Sequence, residues 1–233
     1  MRLFLFDCDG TLADSFAVIC GTMKRAFHAE GLPIPDDVAI LGIIGLSLRE
    51  AMHRLVPGSS LDDAARLADA YRTQFQAARA EGLVDEPLFD GMADLVRRLC
   101  AVDDHLIGMV TGKSRRGVDH ILEHHGLAPL FHVIRTADDC PSKPHPAMVL
   151  ECCAAMGVAP ADTVVIGDAP FDMAMAVAAG AHAVGVAWGA ASSDVLVRAG
   201  AASVALDVPH LEALLAAWAQ APATMPPLAR IHP

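Results

Sequence analysis

LFLFDCDGTLADS, residues 3–15, is a short apolar run that stops at an acid and turns at a glycine. Leu3 to Phe6 shows no polar alternation, which suits a strand buried on both faces of a parallel sheet. Asp7 and Asp9 follow at once, at the strand's carboxyl end, where open parallel sheets bind their ligands. Gly10 lets the chain leave the strand sharply or approach a ligand closely.

The same design repeats downstream. HLIGMV ends at Thr111, FHVI at Arg135 and TVVIG at Asp168, and HAVGVAW spans His182 to Trp188. Helical spacing of apolar residues separates these runs over Met92–Cys100, Val118–His125, Pro146–Met156 and Pro170–Ala179, the last closed by Gly180. Alternating strands and helices predict an α/β fold, a Rossmann-like parallel sheet with helices on both faces. From 14 to 86 the pattern is helical throughout, with breaks at Gly31–Pro35, Gly42–Gly45 and Pro57–Ser60 and a helix start at Ser60-Leu-Asp-Asp63. The expected organisation is therefore a core of 1–13 and 87–215, an inserted all-helical cap over 14–86, and a helix end with a Pro-rich tail over 216–233.

Composition narrows the class. Apolar residues make up 54% of the 233-residue chain, which excludes disorder for its bulk. A net charge of −11 repels polyanions and anionic lipid, so neither nucleic acid nor membrane is an expected partner. Met173–Ala191, uncharged apart from His182, is Ala- and Gly-rich and reads as a helix followed by a buried strand, not a membrane span. The six cysteines form no CxxC pair and no zinc-ligand spacing, and no signal peptide precedes Leu3; both point to reduced thiols in the cytoplasm. Only Lys24, Lys113 and Lys143 stand against fourteen arginines, so each lysine is a candidate for a specific role.

Taken singly, the polar residues at the strand ends have plain readings. Asp7 and Asp9 fit a polar turn, Asp172 a first-turn acid favoured by the helix dipole, Thr111 a helix cap and Lys143 a solvated surface lysine. Jointly they say more. Acids, then Thr111 with Gly112, then Lys143, then Asp168 and Asp172 follow successive strands in one order. Crowded carboxylates need a counter-charge, and oxygen-only donors suit a hard cation such as Mg²⁺. The hydroxyl and backbone N–H groups at Thr111-Gly112 and the ammonium of Lys143 suit an anion. Cys8, between two acids, is disfavoured as a thiolate nucleophile.

FDCDGTLADS (Phe6–Ser15), VTGKS (Val110–Ser114), SKPHP (Ser142–Pro146) and GDAPFDMAMA (Gly167–Ala176) together resemble the four motifs of the haloacid dehalogenase superfamily. The resemblance runs from residue 1 to about 215 and is nearest to phosphoglycolate-phosphatase-like members with a helical cap. It implies Asp7 as the nucleophile that becomes aspartyl-phosphate and Asp9 as general acid, then base. It implies Mg²⁺ held by Asp7, Asp9 through its backbone carbonyl, Asp168 and Asp172, and phosphoryl oxygens bound by Thr111, Gly112 and Lys143. Gly112 departs from the pattern, where asparagine is frequent; the backbone N–H remains.

The function this implies is a Mg²⁺-dependent phosphatase acting on a small phosphorylated metabolite, as a monomer or homodimer. A phosphosugar mutase of the same architecture is the alternative, although Thr11 directly after Gly10 leans to phosphatases by resemblance. A signalling receiver is disfavoured because its phosphorylated Asp follows the third strand, and a non-catalytic scaffold because no motif position is lost. Substrate choice falls to the cap. Arg49, after the glycine break at Gly45, is the candidate for a substrate carboxylate or second phosphate, against its plainer reading as a solvated arginine.

Overall fold

The computed structural model describes residues 1–221. Six strands, β1 (Arg2–Phe6), β2 (His105–Val110), β3 (Val133–Arg135), β4 (Thr163–Gly167), β5 (His182–Val186) and β6 (Ser203–Ala205), pair in parallel in the order β3-β2-β1-β4-β5-β6. β1 is central. Phe6 stands opposite Met109 of β2 and Ile166 of β4, so the three strands finish nearly level. That register brings Asp7, Thr111 and Asp168 to one rim.

Side chains alternate across β1. Phe4 and Phe6 join one apolar cluster, Leu3 and Leu5 the other, and all four are fully buried. The run carries no polar alternation because both faces are covered. Between β1 and the rest of the sheet lie α1 (Phe16–Ala29), α2 (Asp37–Leu41), α3 (Leu48–Leu55) and α4 (Leu61–Ala80). They bury a core of their own around Met23, Phe27, Ile40 and Leu67. The remaining helices are α5 (Met92–Cys100), α6 (Arg115–His124), α7 (Ala147–Met156), α8 (Pro170–Ala179), α9 (Ser193–Arg198) and α10 (Val208–Gln220). α5, α6 and α10 contribute Leu95, Val118 and Leu211 to the Phe4 side, while α7 and α8 contribute Met148 and Met173 to the Leu3 side. Truncating any of these buried side chains to Ala costs about 2–5 kcal/mol.

Differences from the expected elements have local causes. HAVGVAW stops being strand at Val186, and FHVI pairs only from Val133. β6 and α9 are too short to stand out as apolar runs. α10 runs to Gln220, so the helix end expected from 216 belongs to it, and Trp218 near that end packs edge-on against Phe4, their ring centroids 5.4 Å apart. The Pro-rich tail beyond 221 lies outside the described residues. No helix among the described residues is long and apolar enough to cross a membrane.

Candidate active site

Asp7 leaves β1 with its N–H donating to the Ile166 carbonyl at 2.9 Å, which fixes it at the sheet's end. Its side chain is buried. Oδ1 accepts from the Cys8 N–H at 2.7 Å and lies 2.9 Å from Lys143 Nζ, while Oδ2 has no hydrogen-bond partner. Lys143 is itself buried and also donates to Asp172 Oδ1 at 2.5 Å; Asp172 Oδ2 accepts from the Ala169 N–H at 3.1 Å. Asp168 accepts from Thr11 Oγ1 at 3.0 Å and from the Ala190 N–H at 2.8 Å. Gly10 takes φ +78°, and a Cβ there would overlap the Asp168 carboxylate, so the tight turn and the acid require the same glycine.

Electrostatics follow from this crowding. Burial pushes the Asp7 carboxyl up to about 8; Lys143 pulls it back, and Asp172 and Asp168 add to the rise. Asp168 is pushed up to about 7, by burial and then by Asp172. Burial pulls the Lys143 ammonium down, but Asp172 and Asp7 outweigh it and hold it above the usual lysine range. One ammonium against three buried acids leaves negative charge uncompensated. Asp7, Asp168 and Asp172 each present an oxygen within 4.8 Å of the others. With the orphaned Asp7 Oδ2 beside them, this all-oxygen set fits a hard divalent cation.

Asp9 stands apart from that set. Its Oδ1 accepts from Ser15 Oγ at 2.6 Å and from Lys113 Nζ at 2.9 Å. Lys113 Nζ also donates to Glu86 Oε1 at 2.8 Å, and both acids hold the ammonium well above its usual range against the pull of burial. Ser15 and Glu86 come from the two stretches that join the helical insert to the sheet, so Asp9 is held by the first directly and by the second through Lys113. Cys8 is held as a thiol, its pKa raised by burial first and by Asp9 next.

The insert covers this rim. Gly45 to Ser47 is the closest segment: the Ser47 N–H donates to Ser142 Oγ at 2.8 Å, and a Cβ built on Gly45 would lie 3.9 Å from Asp7 Oδ2. Gly112 is pressed beneath it. A Cβ at 112 would overlap the backbone oxygens of Leu46 and Gly45, which is the physical reason that asparagine is absent here. A cavity of about 490 Å³ opens between insert and sheet, with Asp7, Asp9, Thr111, Gly112 and Arg49 in its lining. Arg49, in the first turn of α3, is exposed and has no carboxylate within 4.0 Å among the described residues.

The structure thus gathers Asp7, Asp168, Asp172 and Lys143 into one buried cluster. Asp9, Thr111 and Gly112 line the cavity above it, and Arg49 stands on the cavity's wall. From sequence, Glu86 had no role, while Lys113 and Thr11 were marked, the one as a scarce lysine and the other beside Gly10, without a place in the site. Lysine scarcity was the one signal for Lys113; Glu86 carried none.

A family model described as haloacid dehalogenase-like hydrolase matches residues 4–186. The chain belongs to that family. It is 32% identical over 205 residues to the probable phosphatase IndB of Dickeya dadantii, covering 84% of this chain and 86% of that one. It is 31% identical over 200 residues to a phosphoglycolate phosphatase of Chromobacterium violaceum, covering 84% and 89%. Its structure is similar to that of a hydrolase from Pseudomonas syringae, with a TM-score of 0.82, 26% identity, and coverage of 93% and 99%. The stretches Phe6–Ser15, Val110–Ser114, Ser142–Pro146 and Gly167–Ala176 all lie within the matched residues.

Proposed function

We propose that this chain is a divalent-cation-dependent phosphomonoesterase that hydrolyses a small phosphorylated metabolite through an aspartyl-phosphate on Asp7. One observation carries the reading: Asp7 is held at a buried rim by Lys143 while its second oxygen is left without a partner. A buried carboxylate oxygen without a donor is costly unless function uses it.

An Asp7 oxygen attacks phosphorus, and the bond from phosphorus to the ester oxygen breaks. Asp9 gives its proton to that oxygen as the alcohol leaves. Asp9, now ionised, takes a proton from water, whose oxygen attacks the same phosphorus; the Asp7 carboxylate is released with inorganic phosphate. Lys143, the Thr111 hydroxyl and the Gly112 backbone N–H neutralise phosphoryl oxygens throughout. Asp7, Asp168, Asp172 and the Asp9 carbonyl would hold the cation, for which Mg²⁺ fits best. Bound there, it supplies further charge neutralisation. Arg49 reaches the substrate from the cap, and the unpaired cysteines favour the reducing cytoplasm as the compartment.

Phosphate release from a panel of phosphorylated metabolites, with p-nitrophenyl phosphate as generic probe, tests the reading. Asp7→Asn is expected to lose at least about a hundredfold in rate with its melting temperature kept. A variant retaining more than that would overturn the covalent route. Chelator is expected to stop turnover and Mg²⁺ to restore it, while Ca²⁺, with 6–8 longer ligand bonds, serves poorly. Full activity in chelator would remove the metal.

A further inference from the structure

The cavity is larger than a two-carbon ester needs. Its volume of about 490 Å³ lies within the roughly 300–1,000 Å³ of sites that enclose drug-sized ligands. A phosphorylated two-carbon acid would leave most of it to water.

Its outer wall is made by α4. Tyr71 and Phe75, one turn apart, both line the cavity, with ring centroids 6.3 Å apart and planes inclined by 25°. Tyr71 feels the charges of the reacting floor. Burial raises its phenol above the usual range, with Lys113 opposing and Asp9 and Glu86 adding to the rise. Arg79 lies eight residues further along, which a rise of 1.5 Å per residue makes about 12 Å. Arg116, in the first turn of α6, lines the same cavity from the side of the sheet domain.

Charge pairing sets these cations apart. Nine arginines have a carboxylate within 4.0 Å. Among the described residues only Arg49, Arg79, Arg116 and Arg198 do not, and the first three line the cavity. In a chain of net charge −11, unpaired guanidiniums gathered around one space await an anion. Arg79 belongs to the cap and Arg116 to the sheet domain. An anion held between them would therefore also hold the two parts together.

We propose that the outer cavity is a specificity subsite in which Tyr71 and Phe75 face a ring of the substrate and Arg79 with Arg116 clamp a second anionic group. The substrate class is a ring-bearing phosphomonoester with a further carboxylate or phosphate at its far end. This rests on the phosphatase reading and narrows it.

The test uses matched probes that differ by one anionic group. They are orotidine against uridine 5′-monophosphate, N-acetylmuramic acid against N-acetylglucosamine 6-phosphate, and glucose 1,6-bisphosphate against glucose 6-phosphate. Phosphoglycolate serves as the ringless acid. For at least one pair, kcat/KM for phosphate release is expected to favour the more anionic member by about ten- to hundredfold. Arg79→Gln with Arg116→Gln should bring that ratio close to one. Phe75→Ala should raise KM for the favoured ring ester more than for phosphoglycolate. No preference in any pair, a preference that survives the double arginine variant, or phosphoglycolate as the best of all seven probes each overturns the subsite. The phosphatase reading is judged separately. If p-nitrophenyl phosphate is hydrolysed by the wild type and not by Asp7→Asn, the phosphatase stands while the subsite falls; if neither protein hydrolyses it, the phosphatase reading falls first.

Discussion

Lys113 holds two carboxylates at once, Asp9 at 2.9 Å and Glu86 at 2.8 Å, and its ammonium is nearly enclosed. Removing it strands both acids, and breaking a buried pair in that way costs about 3–5 kcal/mol. Lys113→Met is therefore expected to lower the melting temperature and to slow turnover about ten- to hundredfold, since Asp9 loses its orientation. Adding Glu86→Gln to that variant should restore part of the stability and none of the rate, because one stranded charge is gone but Asp9 is still unheld. Thermal melts and kcat on p-nitrophenyl phosphate check both halves; recovery of the rate in the double variant would leave Lys113 a merely structural ion. At this scale the sequence showed the acids and lysines at strand ends, because strand termini are marked by where apolar runs stop. It could not show that Lys113 and Lys143 divide the work. That division depends on Glu86, seventy-nine positions from Asp7 in the chain and legible only as one acid among many.

Gly45 to Ser47 is the element through which the helical insert meets the catalytic rim, and Gly112 is its seat. A Cβ at 112 would meet the backbone oxygens of Gly45 and Leu46, which are not flexible tips that can swing away. Gly112→Ala should accordingly leave both hydrophobic clusters of the sheet domain intact, yet hold the insert off the rim. Expected are a melting temperature close to wild type and a fall in kcat/KM of about ten- to hundredfold, the loss of a few well-placed contacts. Unchanged kcat/KM would mean that the segment gives way freely and does not order the site. Helices were the most legible elements. Met92–Cys100 falls where the spacing placed it, Ser60 and Asp63 form a reciprocal cap at the start of α4, and Gly180 closes α8 in the left-handed region. The contact between segment 45–47 and Gly112 was not legible. It joins two loops from different halves of the fold, and no periodicity encodes such a meeting.

Across the whole molecule, the strand order β3-β2-β1-β4-β5-β6 is what turns four separate motifs into one rim, and apolar runs alone do not specify it. The opposite end of the sheet carries a different chemistry. His105 opens β2 with its ring 4.7 Å from that of Phe4, and His182 opens β5 stacked 6.0 Å from Trp218 of α10. Burial lowers both imidazoles below their ordinary pKa of 6.5; for His105 the Leu99 carbonyl and Asp104 work against it. A base whose folded pKa is depressed is protonated more readily in the unfolded chain. The unfolded state then binds more protons as pH falls through about 6.5, and stability falls with it until the folded histidines protonate too. Melting temperature is thus expected to drop between about pH 7.5 and 5.5. Carboxylates elsewhere also titrate towards the acid end of that range, so the informative quantity is the difference between proteins. His182→Phe keeps a ring against Trp218 and removes the proton site. It should melt near wild type at the alkaline end of the range and lose less on acidification. Parallel melting curves for the two proteins across that range would show that His182 takes no part in the acid sensitivity of the fold.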